Sequence, residues 1–312
     1  MTITVSTPLA ADLPRVIAAL ASFQSDDGGP AQLHPGDVGW HQREGADATA
    51  RAVRVWERDG EPIVIGMSDG EVIRLAVSPL VADDAEVAAR LGDDLGGHGS
   101  FGDGVASVEE LPTRVRTRGT EVRHGAALRR TLQARGWTDG EAWACFTLDL
   151  SDPVPAHGMR LAAVDGAAVD GSAAGGAIVR DAVAAHLAAW ERSTFTTDRF
   201  HAMAAGPAYS RARFLVLYAG HVPVATACVW SAGPGRPGLI EPLGVSRKHR
   251  GHGYGRAMVS ACAAALRGLG ASAMQVSTPA TQWPAVPLDA ATMRRLPDVC
   301  DLTRPVSGQG DE

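Results

Sequence analysis

The sequence predicts a mixed α+β protein built as two tandem units, each a mostly antiparallel central sheet flanked by helices. Three observations carry this. Two sets of three strand-like runs are each separated by short polar or glycine-containing turns. The two sets end on similar tetrapeptides, Leu75-Ala76-Val77-Ser78 and Leu243-Gly244-Val245-Ser246, 168 positions apart, which points to duplication of a unit of roughly 150 residues. The 312 residues, 45% of them apolar, can fill two cores of ordinary domain size.

In the first unit, Asp12 and Pro14 open a helix whose Val16, Ile17 and Leu20 share a face. Strands follow at 50–57, 62–67 and 72–77. Asp59-Gly60 and Asp69-Gly70 between them are hairpin turns, since tight hairpins require the positive φ that glycine accepts. A glycine-rich stretch at 92–104 reads as loop, and a helix over 126–135 leads into a strand over 142–150. Ser151-Asp152-Pro153-Val154-Pro155 reads as a linker, which sets the units at 1–152 and 153–312. The second unit repeats the plan with a strand at 159–164 and a helix over 178–190, whose Val179, Val183, His186, Leu187 and Trp190 form one stripe. Strands at 214–219, 223–230 and 239–245 come next. A helix then runs from Arg256 to a stop at Gly270, followed by a strand over 271–277.

A net charge of −6 argues against a general nucleic-acid binder. The basic cluster Arg247, Lys248, Arg250 and Arg256 is local and suits a compact polyanion. No apolar run of about 18 residues occurs and no secretory signal opens at Met1, so a cytoplasmic protein without membrane contact is expected. The four cysteines form no C-x-x-C and the ten histidines no H-x-x-x-H or H-E-x-x-H, so neither a metal nor a catalytic thiol is expected.

Residues 238–256 read as a strand, a basic glycine loop and a helix start. Amides in the first turn of a helix lack internal partners and sit at the positive end of the macrodipole, so a diphosphate can dock there. There is no Gly-Lys-Ser/Thr, and Gly251-x-Gly253-x-Gly255 is not GxGxxG. What fits is Arg/Gln-x-x-Gly-x-Gly/Ala, here Arg250-Gly251-His252-Gly253-Tyr254-Gly255, five residues after the valine of a Leu-x-Val strand end. This resembles the acyl-CoA loop of the GNAT acetyltransferase superfamily. The first unit has Pro79-Leu80-Val81-Ala82-Asp83-Asp84 at that place. An acidic pair repels phosphate, so the first unit is expected to be a degenerate GNAT-like domain that lacks the acyl-CoA loop and helps shape the cleft of the second.

The resemblance implies a cofactor, acetyl-CoA or another acyl-CoA. Its pantetheine arm would lie in a splay between two strands, bonded to the backbone of Leu243 and Val245. Amides from Gly251 to Gly255 and the side chains of Arg250 and Arg256 would take the diphosphate, with His252 and Tyr254 over the nucleotide. Pro242 has no N–H for a regular ladder and predicts a bulge at the splay. Glu241 is the candidate base, because an ammonium must lose a proton before it can attack. Alternation puts it on the face of Leu243 and Val245 unless the bulge shifts the phase. The tyrosine that protonates the leaving thiolate in similar enzymes is replaced by Leu288, which leaves water, Tyr209 or Tyr218 for that role. His186 and Trp190 are candidates for contact with the acceptor. The expected function is acyl-CoA-dependent N-acyl transfer, with acetyl moving from acetyl-CoA to an amine of a small molecule by direct attack. Alternatives are a CoA-binding regulatory protein without transferase activity and other acyl-CoA thioester chemistry. The candidate partners are that amine and a second copy of the chain.

Overall fold

The computed structural model describes residues 2–25, 28–96, 118–155, 157–165, 173–281 and 293–305. The first half contains, in chain order, β1 (Ile3–Ser6), α1 (Leu13–Phe23), α2 (Pro35–His41), α3 (Ala46–Ala52), β2 (Val53–Arg58), β3 (Glu61–Asp69), β4 (Val72–Val77), α4 (Ala85–Gly96), β5 (Gly119–Glu121), α5 (Ala126–Ala134) and β6 (Thr138–Asp149). The second contains β7 (Arg160–Val164), α6 (Ala173–Ala189), α7 (Thr197–Ala204), β8 (Ala212–Ala219), β9 (Val222–Ser231), β10 (Gly238–Val245), α8 (Tyr254–Gly268), β11 (Ala273–Pro279), β12 (Arg294–Arg295) and β13 (Val299–Thr303).

Both predicted meanders form. Asp59 and Gly60 take φ of 54° and 83° in the β2–β3 hairpin, and Gly70 takes 61° in the next. β8, β9 and β10 pair antiparallel in the same manner. The two tetrapeptides occupy equivalent places. Ala76 faces Ile65 and Gly244 faces Thr226, while Ser78 N donates to Ile63 O and Ser246 N to Val224 O, both at 2.9 Å. In each half the strand that ends on the tetrapeptide then pairs parallel with a later one, β4 with β5 and β10 with β11.

The described strands join into one sheet, in the order β1-β2-β3-β4-β5-β13-β6-β11-β10-β9-β8-β7, with β12 also on β6. Its middle is an exchange. β6 precedes the linker, yet it pairs with β11 over seven residues and its Ala144 and Phe146 belong to the core beneath α8. β13 comes from the end of the chain, yet it lies between β5 and β6 and buries Leu302 in the first half's core.

Three local expectations need correction. Residues 50–52 are the last turn of α3 rather than strand. The Asp12 carboxylate accepts from Leu9 N at 2.9 Å and does not cap α1. The glycines at 92 and 96 lie within α4, whose Val87, Leu91 and Leu95 supply a buried stripe that outweighs glycine's low helix propensity; residues 97–104 lie outside the described ones.

Candidate active site

β10 and β11 pair only at Gly238 and Leu239, while β11 runs on along β6 to Pro279. Beyond Leu239 the two strands diverge. On the other edge the register against β9 shifts between Ile240 and Leu243, so Glu241 and Pro242 form the expected bulge. Trp230 Nε1 holds it by donating to Glu241 O at 2.7 Å. Antiparallel ladders bond alternate residues. Since Ser246 N bonds to β9, the groups of Gly244 turn toward β9 and those of Leu243 and Val245 turn into the gap.

The bulge does shift the phase. Ile240, Leu243 and Val245 pack with Met258, Val259 and Cys262 of α8. Leu239 packs on the opposite face with Trp230 and Tyr209, and a Cβ at Gly244 would meet Trp190 and Ala189 there at 2.4 and 2.7 Å. The charged neighbours of Glu241 are Asp37, Arg74, Asp69 and Arg43, all from the first half. Glu241 therefore faces α6 and the first half, opposite Leu243 and Val245.

At the end of β10 the chain turns through Arg247–His249 into Gly251 and Gly253, with φ of 79° and 80°. A Cβ on either would meet nothing within 4 Å. Ala257 N is bonded to Gly253 O, so the amides of Tyr254, Gly255 and Arg256 fall in the first turn of α8, where no intrahelical acceptor exists. This open cradle of amides, with exposed Arg247, Lys248 and Arg256 around it, has the shape and charge that a diphosphate fits. Arg250 instead donates to Ala189 O at 3.2 Å and ties the loop to the end of α6. His252 Nδ1 lies 2.8 Å from Arg250 O, and its ring stacks on Tyr254 at 5.8 Å.

Burial, reinforced by the charges of Asp37 and Asp69, pushes the half-buried Glu241 carboxyl up to about 7, against the opposing pull of Arg74 and Arg43. Asp37 and Glu121 each accept from the Arg74 guanidinium at 2.7 Å. Arg43 stacks on Trp40 at 4.5 Å and donates to its carbonyl at 2.8 Å. None of these first-half residues was singled out from the sequence. The available signal was Gly36-x-x-Gly39 in α2, since a Cβ at either would come within 2.4 Å of Trp230. Two glycines at that spacing let α2 close onto β9.

His186 is buried between Trp190 (4.3 Å), Phe195 (4.8 Å) and Trp40 (5.6 Å). Burial and the nearby Arg43 lower it to about 4, so it is neutral, and its Nδ1 has no hydrogen-bond partner among the described residues. Trp190 lies across Gly244. Both candidates thus wall the Glu241 face. Tyr209 and Tyr218 do not reach the splay: the hydroxyl of the first donates to Val164 O at 3.0 Å and that of the second to Asp181 at 2.8 Å. Leu288 lies outside the described residues. Among the described residues no group of three or more His, Cys, Asp or Glu side chains could hold a metal ion, and no helix is long and apolar enough to cross a membrane.

Residues 177–288 match the model of the Acetyltransferase (GNAT) family, so the second half carries a domain of that family. Solved structures with the same fold over nearly the whole chain include a GCN5-related N-acetyltransferase from Sphaerobacter thermophilus. It is 16% identical, 97% of this chain and 96% of that one are covered, and the TM-score is 0.51. A tandem GNAT protein from the clavulanic acid biosynthesis pathway is 17% identical, with 99% and 100% covered and a TM-score of 0.51. An acetyltransferase from the GNAT family of Colwellia psychrerythraea is 10% identical, with 97% and 99% covered and a TM-score of 0.54. No curated protein matches the sequence. Residues 177–288 thus form a GNAT-type acetyltransferase domain, a class that uses acyl-CoA to acylate amines.

Proposed function

We propose that the protein transfers an acetyl group from acetyl-CoA to an amine of a small molecule, with Glu241 as the base. The observation that supports this most is the carboxyl of Glu241, raised to about 7 on a bulge beside the splay. Bound acetyl-CoA supplies the acyl carbon activated as a thioester. The residues that would hold it are the backbone of Leu243 and Val245 in the gap, the amides from Gly251 to Gly255, and Arg256, with His252 and Tyr254 beside the nucleotide. Arg250 holds the loop to α6. The Val245 amide would polarise the thioester carbonyl. The Glu241 carboxylate takes the proton from the acceptor's ammonium, which frees the lone pair for direct attack on the thioester carbon; the C–N bond forms as the C–S bond breaks, and the leaving thiolate takes its proton from water. His186 and Trp190 wall the acceptor side together with α2. Residues 1–152 shape that cleft and bind no acyl-CoA.

The test is release of free thiol from acetyl-CoA against a panel of small amines. Release that depends on an amine and falls with Glu241→Gln supports the reading. Release without any amine points to another thioester chemistry, and no release with any amine points to a CoA-binding regulatory role.

A further inference from the structure

The first half contains a slot equivalent to the one assigned above to the pantetheine arm. β4 and β5 pair through Arg74 and Glu121 and then part, which leaves the gap-facing groups of Leu75 and Val77 beside them, as Leu243 and Val245 stand beside β11. In the first half those groups are taken. Leu33 N donates to Leu75 O at 3.2 Å, and Val77 N donates to the Gln32 side-chain oxygen at 2.9 Å. The Gln32 amide nitrogen donates in turn to Phe23 O at 2.9 Å. Gln32 is 4% exposed and Leu33 fully buried.

The same segment is fastened to the second half. Arg123 donates both to Ala31 O (3.1 Å) and to the hydroxyl of Ser277 on β11 (2.9 Å), and Gln275 on β11 donates to Gly29 O (3.0 Å). His34 accepts from Gly36 N on Nδ1 at 2.9 Å, so its Nε2 carries the hydrogen and donates to Pro237 O, beside the start of β10, at 3.3 Å. Next comes α2, with Asp37 on Arg74 and Arg43 at the far end.

Resting on the functional reading above, we infer that residues 31–34 fill the first half's own cofactor slot as a built-in segment bonded to Leu75 and Val77, and that this plug is a positioning device which carries α2, with Asp37 and Arg43, across to Glu241. The gap groups that a cofactor would satisfy in the second half are satisfied in the first by the chain itself. Gln32 acts through α2 and is a positioning residue.

Amide exchange on the full chain, with and without acetyl-CoA, tests the plug. Val77 should exchange slowly in both states, and Val245 should become slow only with acetyl-CoA. Fast exchange of Val77 in the free protein, or new protection of Val77 on adding acetyl-CoA, overturns the plug. Slow Val77 with an unresponsive Val245 supports the plug and instead breaks the cofactor assignment of the second half. The positioning role is read by titrating the Glu241 carboxyl with carbon-13 NMR. Its midpoint should fall by about one pH unit in Gln32→Ala, as α2 loosens and water and the Arg74 charge gain on the carboxylate. Asp37→Asn, which removes a negative neighbour with little change of shape, should move it the same way. A midpoint unmoved in both variants overturns the positioning role.

Discussion

At the end of the tetrapeptide strand the two halves of this molecule do opposite things with one geometry. In the second half Ser246 leads into Gly251 and Gly253 at positive φ, and the first-turn amides of the helix that follows have no intrahelical acceptor. In the first half Ser78 leads into Asp84, whose carboxylate accepts from Glu86 N at 2.9 Å and Val87 N at 3.1 Å and is paired with Arg58 at 2.8 Å. A side-chain anion sits where the second half leaves room for a ligand's anion. The gap differs in the same sense, filled by Gln32 and Leu33 on one side and assigned to the pantetheine arm on the other. On the inference drawn above, a binding site of backbone groups is retired by intramolecular substitutes while the fold stays intact, and the retired half then serves its neighbour.

The largest effect expected from this account is at Glu241. Glu241→Gln should lower turnover by about 10²–10⁴-fold, the usual span for a general base. In the parent, the rate should rise with pH through about 7 as the carboxyl ionises, and the variant should lose that limb. The sign for stability runs the other way. A carboxyl raised by folding favours the native state below its unfolded value, and that contribution is lost as pH rises through about 7. Thermal unfolding at pH 8 should therefore show Glu241→Gln no less stable than the parent.

The strand exchange makes the halves depend on each other, and Leu302 on β13 measures by how much. It is fully buried in the first half's core, so Leu302→Ala should cost about 2–5 kcal/mol in denaturant unfolding. A loss confined to signals from the first half would show that the two halves unfold separately.

Gly253→Phe should abolish the stabilisation by acetyl-CoA, which at about 100 times the dissociation constant is about 2.7 kcal/mol. Its Cβ meets nothing in the free protein, so the side chain would stand where the diphosphate is assigned. The left-handed φ of 80° adds a modest strain, so the readout is the ligand-dependent shift and not the variant's own melting temperature.

The smallest effect is expected at the retired position. Arg58 and two amides hold Asp84 below the usual carboxylate range, so Asp84→Ala should cost about 1 kcal/mol at neutral pH, the value of a helix cap, and the difference should vanish as acid protonates the parent's carboxyl. Acetyl-CoA should bind no better to this variant's first half, because Gln32 and Leu33 still fill the slot.

Much of this contrast was legible in the sequence. The Leu-x-Val-Ser repeat, the Asp-Gly turns, the loop glycines and the acidic pair Asp83-Asp84 are local signals, each tied to a backbone conformation or a charge. Pro242 gave the bulge. What the bulge did to Glu241 was not legible, because alternation along a strand says which face a residue takes only while the register holds. The first half's share of the site was hidden for a different reason. The charges of Asp37, Arg43 and Arg74 act on Glu241 from some 170–200 positions away in the chain, and periodicity carries no information about such pairings. The exchange of β6 and β13 was hidden likewise, since five residues of Val299–Thr303 can complete any edge of matching register.

The central claim is that one of two equivalent sites holds the cofactor and the other is occupied by the chain itself. Calorimetric titration of the full chain with acetyl-CoA tests it most directly. The account predicts one molecule bound per chain, and none with Gly253→Phe. Two molecules bound per chain, or one retained by Gly253→Phe, would contradict it.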